Sequence, residues 1–114
     1  MSFHDEHVNR FFRTVKQPIT NRNFGVAMYI LTGMPSVLSR AQGYIDTEEC
    51  FIDFDGIFKG VRLSSGEECM VELANNLYGG SSKADLLSIK SKCDYEMCKV
   101  AERAIAIYLL DGVM

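Results

Sequence analysis

The chain has 114 residues, of which 47% are hydrophobic and 24% charged, and it contains only two prolines. This composition is typical of a single packed globular domain over residues 1–114 and excludes a disordered chain. The formal net charge is -3 and the 12 Lys and Arg residues are scattered, so there is no basic surface for nucleic acid. A protein that imitates DNA would need a concentrated acidic face, and a net charge of only -3 is weak evidence for one.

No apolar run approaches the roughly 18 residues that a membrane span requires. The first residues are polar, as an export signal would not be. We therefore expect a soluble cytoplasmic protein that does not contact membranes. Its four cysteines are expected to be reduced thiols. The oligomeric state has no signature in the sequence.

Capping residues and helical spacing of apolar residues predict three helices in the first part of the chain. Ser2 caps the first helix, which ends before Gln17-Pro18. Pro35 suits the first turn of the third helix. The three predicted helices run over residues 3–16, from a cap at Asn21 or Asn23 to Gly33, and over 35–41.

In the segment at about residues 49–63 the period of the apolar residues changes from that of the predicted helices. The segment also contains Asp55-Gly56, a dipeptide that favours a two-residue hairpin turn. We therefore predict a β-hairpin insertion there, packed on the helices through its apolar face. The predicted register pairs Phe54 with Ile57, Ile52 with Lys59, Cys50 with Val61, and Glu49 with Arg62.

Further helices are predicted towards the C-terminus, capped by Ser64, by Ser82 with Asp85, and by Asp94. Gly79-Gly80 is expected to end the first of these in a left-handed conformation. The last helix is apolar nearly all round, which predicts that it is the central one. The fold class is thus mainly α, a compact bundle of about five helices with a small two-stranded antiparallel β-hairpin.

Three motifs contain residue types that could carry chemistry. The run Phe51–Ile57 looks like the first motif of haloacid-dehalogenase-type phosphatases, in which Asp53 would attack phosphorus and Asp55 serve as acid and base. Ile57 replaces the usual Thr and no later Gly-Asp pair follows, so a hairpin turn is the better interpretation. The glycine-rich run 75–82 lacks the ending of a nucleotide-binding loop, which favours helix termination.

The third motif is a set of metal-ligating residue types. Two imidazoles and two thiolates would complete a tetrahedral zinc shell, and these residues are His4, His7, Cys93 and Cys98. The alternative is that both histidines extend the apolar stripe of the first helix and Cys98 packs in the core. Cys93 precedes a helix N-terminus, which would lower its pKa. We assign no catalytic residue and expect no cofactor, with a zinc-stabilised small-ligand-binding domain as the alternative.

The chain resembles a family of small proteins of unknown function from firmicute bacteria and their phages. The resemblance lies in Phe3-x-x-Glu6-His7 with Phe11, in Ala27-x-Tyr29-Ile30-Leu31, and in the run 73–79. It implies a phage or prophage origin and a bacterial host cytoplasm. Some anti-CRISPR inhibitors of Cas9 are similar in size and helical character.

The lack of a catalytic constellation in a well-specified fold predicts a non-catalytic protein-binding protein, and the resemblance implies an inhibitor of a host or defence protein such as a CRISPR effector. Aromatic and arginine side chains carry most of the affinity at protein interfaces. The best candidates for such anchors are Arg10, Arg13, Arg22 and Tyr78.

Overall fold

The computed structural model describes residues 2–16 and 21–110, and these residues form seven α-helices, one short 3-10 helix and two short strands. The principal extents are 35 × 29 × 27 Å. The elements in chain order are α1 (Phe3–Thr14), α2 (Arg22–Thr32), α3 (Pro35–Ala41), the 3-10 helix (Gln42–Tyr44), β1 (Ile45–Asp46), β2 (Phe51–Ile52), α4 (Phe54–Gly60), α5 (Ser65–Tyr78), α6 (Leu86–Lys92) and α7 (Tyr95–Leu109).

The mainly α fold with one small antiparallel hairpin is confirmed. Most predicted helix starts are confirmed as well, because each cap accepts a hydrogen bond from the backbone two or three residues on. Ser64 and Glu67 form a reciprocal capping box at α5. The other confirmed caps are Ser2, Asn21, Asp85 and Asp94. α1 ends at Thr14, and Gln17-Pro18 lies outside the described residues.

The centre of the bundle is α2 and not the last helix, contrary to the prediction. Every residue from Phe24 to Thr32 is buried, and α2 packs on α1, α5 and α7. The sequence has no charged residue between Arg22 and Arg40, so α2 can be buried on all sides without desolvating a charge. α7 carries charged residues, and its buried stripe consists of Val100, Ala101, Ala104 and Ile107.

The predicted hairpin at 49–63 is wrong in position and register. The observed pairs are Ile45 with Ile52 and Asp46 with Phe51, so the hairpin spans residues 45–52. Asp55-Gly56 lies inside α4 instead of at a turn. The predicted ladder from Glu49–Arg62 to Phe54–Ile57 therefore does not form.

Helix α4 forms because its apolar residues follow a helical period that the alternating pattern concealed. Phe54, Ile57 and Val61 are three and four residues apart, and all three are buried on one face. The side chain of Asp53 accepts a hydrogen bond from the Gly56 backbone N–H at 3.0 Å and caps the helix. Residues expected on the inner face of a hairpin thus do reach the core, but as one face of a helix.

None of the helices within the described residues combines the length and the apolar character needed to cross a bilayer.

Candidate functional site

A surface pocket of about 300 Å³ lies where the hairpin and the start of α4 meet the end of α5. Two segments that are distant in sequence contribute to it. Its lining includes Phe51, Asp53, Asp55, Tyr78, Gly79 and Gly80. The pocket therefore unites the Asp-x-Asp motif with the glycine-rich turn.

Tyr78 joins α5 to the hairpin. Its hydroxyl donates to the carbonyl oxygen of Cys50 at 3.1 Å and accepts from the backbone N–H of Ile52 at 3.3 Å. Its ring lies 5.4 Å from that of Phe54. Tyr78 is half-buried and fully engaged in these contacts, so it shapes the pocket wall instead of standing free as an exposed anchor.

Acidic side chains dominate the sequence around the pocket. Between Arg40 and Lys59 there is no Lys or Arg, and there are five acidic residues, Asp46, Glu48, Glu49, Asp53 and Asp55. We call these five residues together with Phe51 the acidic surface. Coulomb repulsion among such carboxylates is offset by any cation that approaches them.

The turn of the hairpin holds part of the acidic surface in place. The Asp46 carboxylate accepts hydrogen bonds from the backbone N–H groups of Glu48 and Glu49, each at 3.1 Å. The side chains of both glutamates are exposed. Phe51, which pairs with Asp46 in the hairpin, is 55% exposed. Segment 46–55 thus carries one exposed aromatic side chain and five carboxylates.

The glycine-rich turn ends α5, as helix termination predicted. Gly79 has a left-handed φ of 101°, and its N–H bonds back to the last turn of the helix. The Gly80 N–H donates to the Asn75 carbonyl at 2.8 Å. A Cβ on Gly80 would lie 1.8 Å from the Asn75 side-chain oxygen. These amides are therefore used inside the protein.

The residues predicted as zinc ligands lie on α1 and at the start of α7, where Cys98 Sγ is 3.8 Å from the Cys93 carbonyl oxygen. His4 is exposed on α1, whereas His7 is fully buried and its Nε2 lies 2.6 Å from the Tyr29 carbonyl oxygen. Cys93 Sγ contacts the Gly66 carbonyl at 3.5 Å, and Cys98 is half-buried. Among residues 2–16 and 21–110, no three His, Cys, Asp or Glu side chains are placed to share a metal ion.

Cys93 does not have the lowered pKa that its position before a helix N-terminus suggested. Burial raises the pKa of the Cys93 thiol to about 11, with a further contribution from the neighbouring Cys69. The position before a helix N-terminus was expected to lower this pKa. Desolvation of the thiolate outweighs the helix dipole here.

The predicted arginine anchors lie elsewhere on the surface. Arg10 is half-buried, and its guanidinium donates to the Thr32 carbonyl at the end of α2 at 2.7 Å. Arg10 and Arg13 line one shallow depression with Glu6 and Asn9. Arg22 is exposed in the first turn of α2. Their role in binding stays a prediction.

The fold and the pocket define a mainly α domain with an acidic surface built on a hairpin. The sequence matches no family model, and comparisons with curated proteins and with solved structures find no similar protein.

Proposed function

We propose that this protein is a non-catalytic binding protein that occupies a basic surface of another protein through its acidic surface. The observation that carries the proposal is the exposed side chain of Phe51 in a segment that holds five carboxylates and no Lys or Arg. Aromatic side chains supply contact area at interfaces, and complementary charge supplies specificity and rapid association. A basic partner surface would satisfy both.

The partner class follows from the charge. Proteins that hold nucleic acids, including CRISPR effectors, present positively charged channels to the phosphate backbone. An acidic surface that competes for such a channel would block the substrate without any reaction of its own. This supports an inhibitor of a host or defence protein, encoded by a phage or prophage, as the sequence resemblance implies.

The test uses purified guide-loaded Cas9-type effectors and a panel of other bacterial defence nucleases. Binding is measured by biolayer interferometry, and DNA cleavage is measured with and without the protein. One variant neutralises four carboxylates by Glu48→Gln, Glu49→Gln, Asp53→Asn and Asp55→Asn. Asparagine keeps the helix cap at position 53, so the change removes charge without removing the cap.

A control variant removes the same number of charges from exposed sites outside the acidic surface, by Glu6→Gln, Glu68→Gln, Glu96→Gln and Glu102→Gln. We expect the first variant to bind at least about tenfold more weakly, and the control to keep wild-type affinity. Wild-type affinity should fall as salt rises. Absence of binding across the panel, or equal affinities of both variants, would contradict the proposal.

A further inference from the structure

A second and larger cavity, separate from the acidic surface, lies between α1 and α7. Its volume is about 550 Å³, within the range of about 300–1,000 Å³ that small-molecule sites occupy in proteins. Tyr29 of α2 also lines it. The cavity is lined by His4, Val8, Phe12, Arg103, Ala106 and Ile107 in addition to Tyr29.

The walls of this cavity are mostly hydrocarbon. Val8 and Phe12 contribute from α1, and Ala106 and Ile107 contribute from α7. A cavity of this kind favours an apolar group, because filling it removes apolar surface from water. The ring of Phe12 is 56% exposed at the cavity. An apolar ligand would therefore cover part of this ring as well.

The polar groups of the cavity all suit an anion. Arg103 carries a permanent positive charge, and among the described residues that line the cavity there is no carboxylate. Within residues 2–16 and 21–110, no ion pair joins Arg103 to an acidic side chain. The Arg103 guanidinium makes a hydrogen bond to the Tyr29 side chain, and a guanidinium has five N–H donors, so others can bind a carboxylate through charge-assisted hydrogen bonds.

Tyr29 adds a neutral donor beside this charge. Its side chain is only 3% exposed. Burial raises the pKa of the Tyr29 phenol, and the nearby Arg103 guanidinium acts in the opposite direction. The phenol therefore keeps its proton at neutral pH and can donate it to an oxygen of a ligand.

We propose that this cavity binds a small monocarboxylate with an apolar tail, such as a medium-chain fatty acid. The carboxylate accepts hydrogen bonds from Arg103 and the Tyr29 phenol, and the tail lies against Val8 and Ile107. The ligand is a free small molecule, and its binding requires neither the acidic surface nor a protein partner.

The test titrates isotope-labelled protein with three probes that share one tail, namely octanoate, 1-octanol and octylammonium, and follows the methyl signals of Val8, Ala106 and Ile107 by NMR. We expect the methyl signals to shift at the lowest ligand concentrations with octanoate. 1-Octanol should need about tenfold higher concentrations, because it cannot make the charged hydrogen bonds. Octylammonium should bind most weakly, since its charge repels Arg103. Equal affinity for octanoate and 1-octanol, or no shift of these methyls, would overturn the proposal.

Two variants localise the effect. Arg103→Met keeps an unbranched side chain and removes the charge, so octanoate affinity should fall to that of 1-octanol. Arg13→Met makes the same replacement on α1 away from the cavity and should leave all three affinities unchanged. If Arg103→Met does not fold, the comparison of the three probes on the wild-type protein decides the matter alone.

A dilution series of ligand-free protein tests a second copy of the chain as the occupant. We expect the three methyl signals to be independent of protein concentration. If the methyl signals shift on dilution and added octanoate does not reverse the shift, a protein surface fills the cavity and the small-molecule proposal is wrong.

Discussion

The imidazole of His7 and the backbone carbonyl of Tyr29 are 2.6 Å apart, and this contact ties α1 to the central helix α2. A carbonyl only accepts, so His7 donates from Nε2 and its Nδ1 carries the lone pair. Within the described part of the chain that buried Nδ1 has no hydrogen-bond partner. Burial lowers the pKa of His7 below its ordinary value of 6.5, and the nearby charges of Arg10, His4 and Arg103 lower it further.

The protein should therefore lose stability as pH falls below 6.5. In that range the unfolded chain takes up a proton on His7 and the folded protein does not, so the free energy of unfolding decreases until the lowered folded pKa is passed. The stabilising contribution of uncharged His7 is fully present above pH 6.5. Urea unfolding at several pH values between 5 and 7.5 measures it.

The variant His7→Phe should lose this part of the pH dependence. It should also be about 0.5–1.5 kcal/mol less stable at pH 7.5, because the Tyr29 carbonyl loses the His7 donor and keeps the hydrogen bond from the Thr32 hydroxyl at 3.1 Å. His4→Gln is the matched control, since His4 is exposed on the same helix, and it should retain most of the wild-type slope because burial is the largest cause of the lowered His7 pKa. Parallel slopes for wild type and His7→Phe would refute this assignment.

Gly66 should not tolerate a side chain, although it lies in a helix. A Cβ there would lie 2.7 Å from the Lys92 carbonyl oxygen at the end of α6, so α5 and α6 would have to separate. We expect Gly66→Ala to cost about 1–3 kcal/mol of unfolding free energy from overpacking, despite the helix propensity of alanine. Gly43→Ala meets nothing within 4 Å and should be close to neutral in the same urea titration.

Removing the hydroxyl of Tyr78 should loosen the hairpin. Tyr78→Phe leaves the ring against Phe54 but removes both hydrogen bonds to the backbone of residues 50 and 52. The expected loss is about 1–3 kcal/mol, with faster amide exchange at Ile52. Tyr108→Phe changes an exposed ring at the end of α7 and serves as the control. Unchanged exchange at Ile52 would show that the hydroxyl does not hold the hairpin.

Cys93 should alkylate slowly in the folded protein. With a pKa of about 11, only about one thiol in a thousand is ionised at pH 8, and the thiolate is the reactive form. Mass spectrometry after timed exposure to iodoacetamide, with peptide mapping, measures the rate at each cysteine. In urea the four cysteines should react at similar rates. Rapid folded-state labelling of Cys93 would mean that its thiolate is stabilised and not desolvated.

Helix starts were predictable from the sequence because a cap and its hydrogen bond lie within a few residues of each other. Ser64 with Glu67 and the left-handed Gly79 at the two ends of α5 are examples. The error at Asp55-Gly56 arose because Phe54, Ile57 and Val61 fit both a hairpin and a helix. The cap at Asp53 and the packing of that apolar face against the core favour the helix.

The central position of α2 was predictable in principle from its lack of charge, but the apolar residues of α7 gave a competing signal. The pocket that unites Asp53 and Asp55 with Gly79 could not be predicted, because no local pattern relates residues that far apart. The same holds for the cavity at Arg103, where α1, α2 and α7 meet.

The amino-acid sequence by itself determined the helical class and the caps, since backbone hydrogen bonds and periodicity act over one or two turns. Tertiary structure decided whether residues 54–60 form a helix, which helix is central, and which side chains share a pocket. Burial of apolar surface is non-directional, so it selects among locally acceptable arrangements only when the whole chain packs.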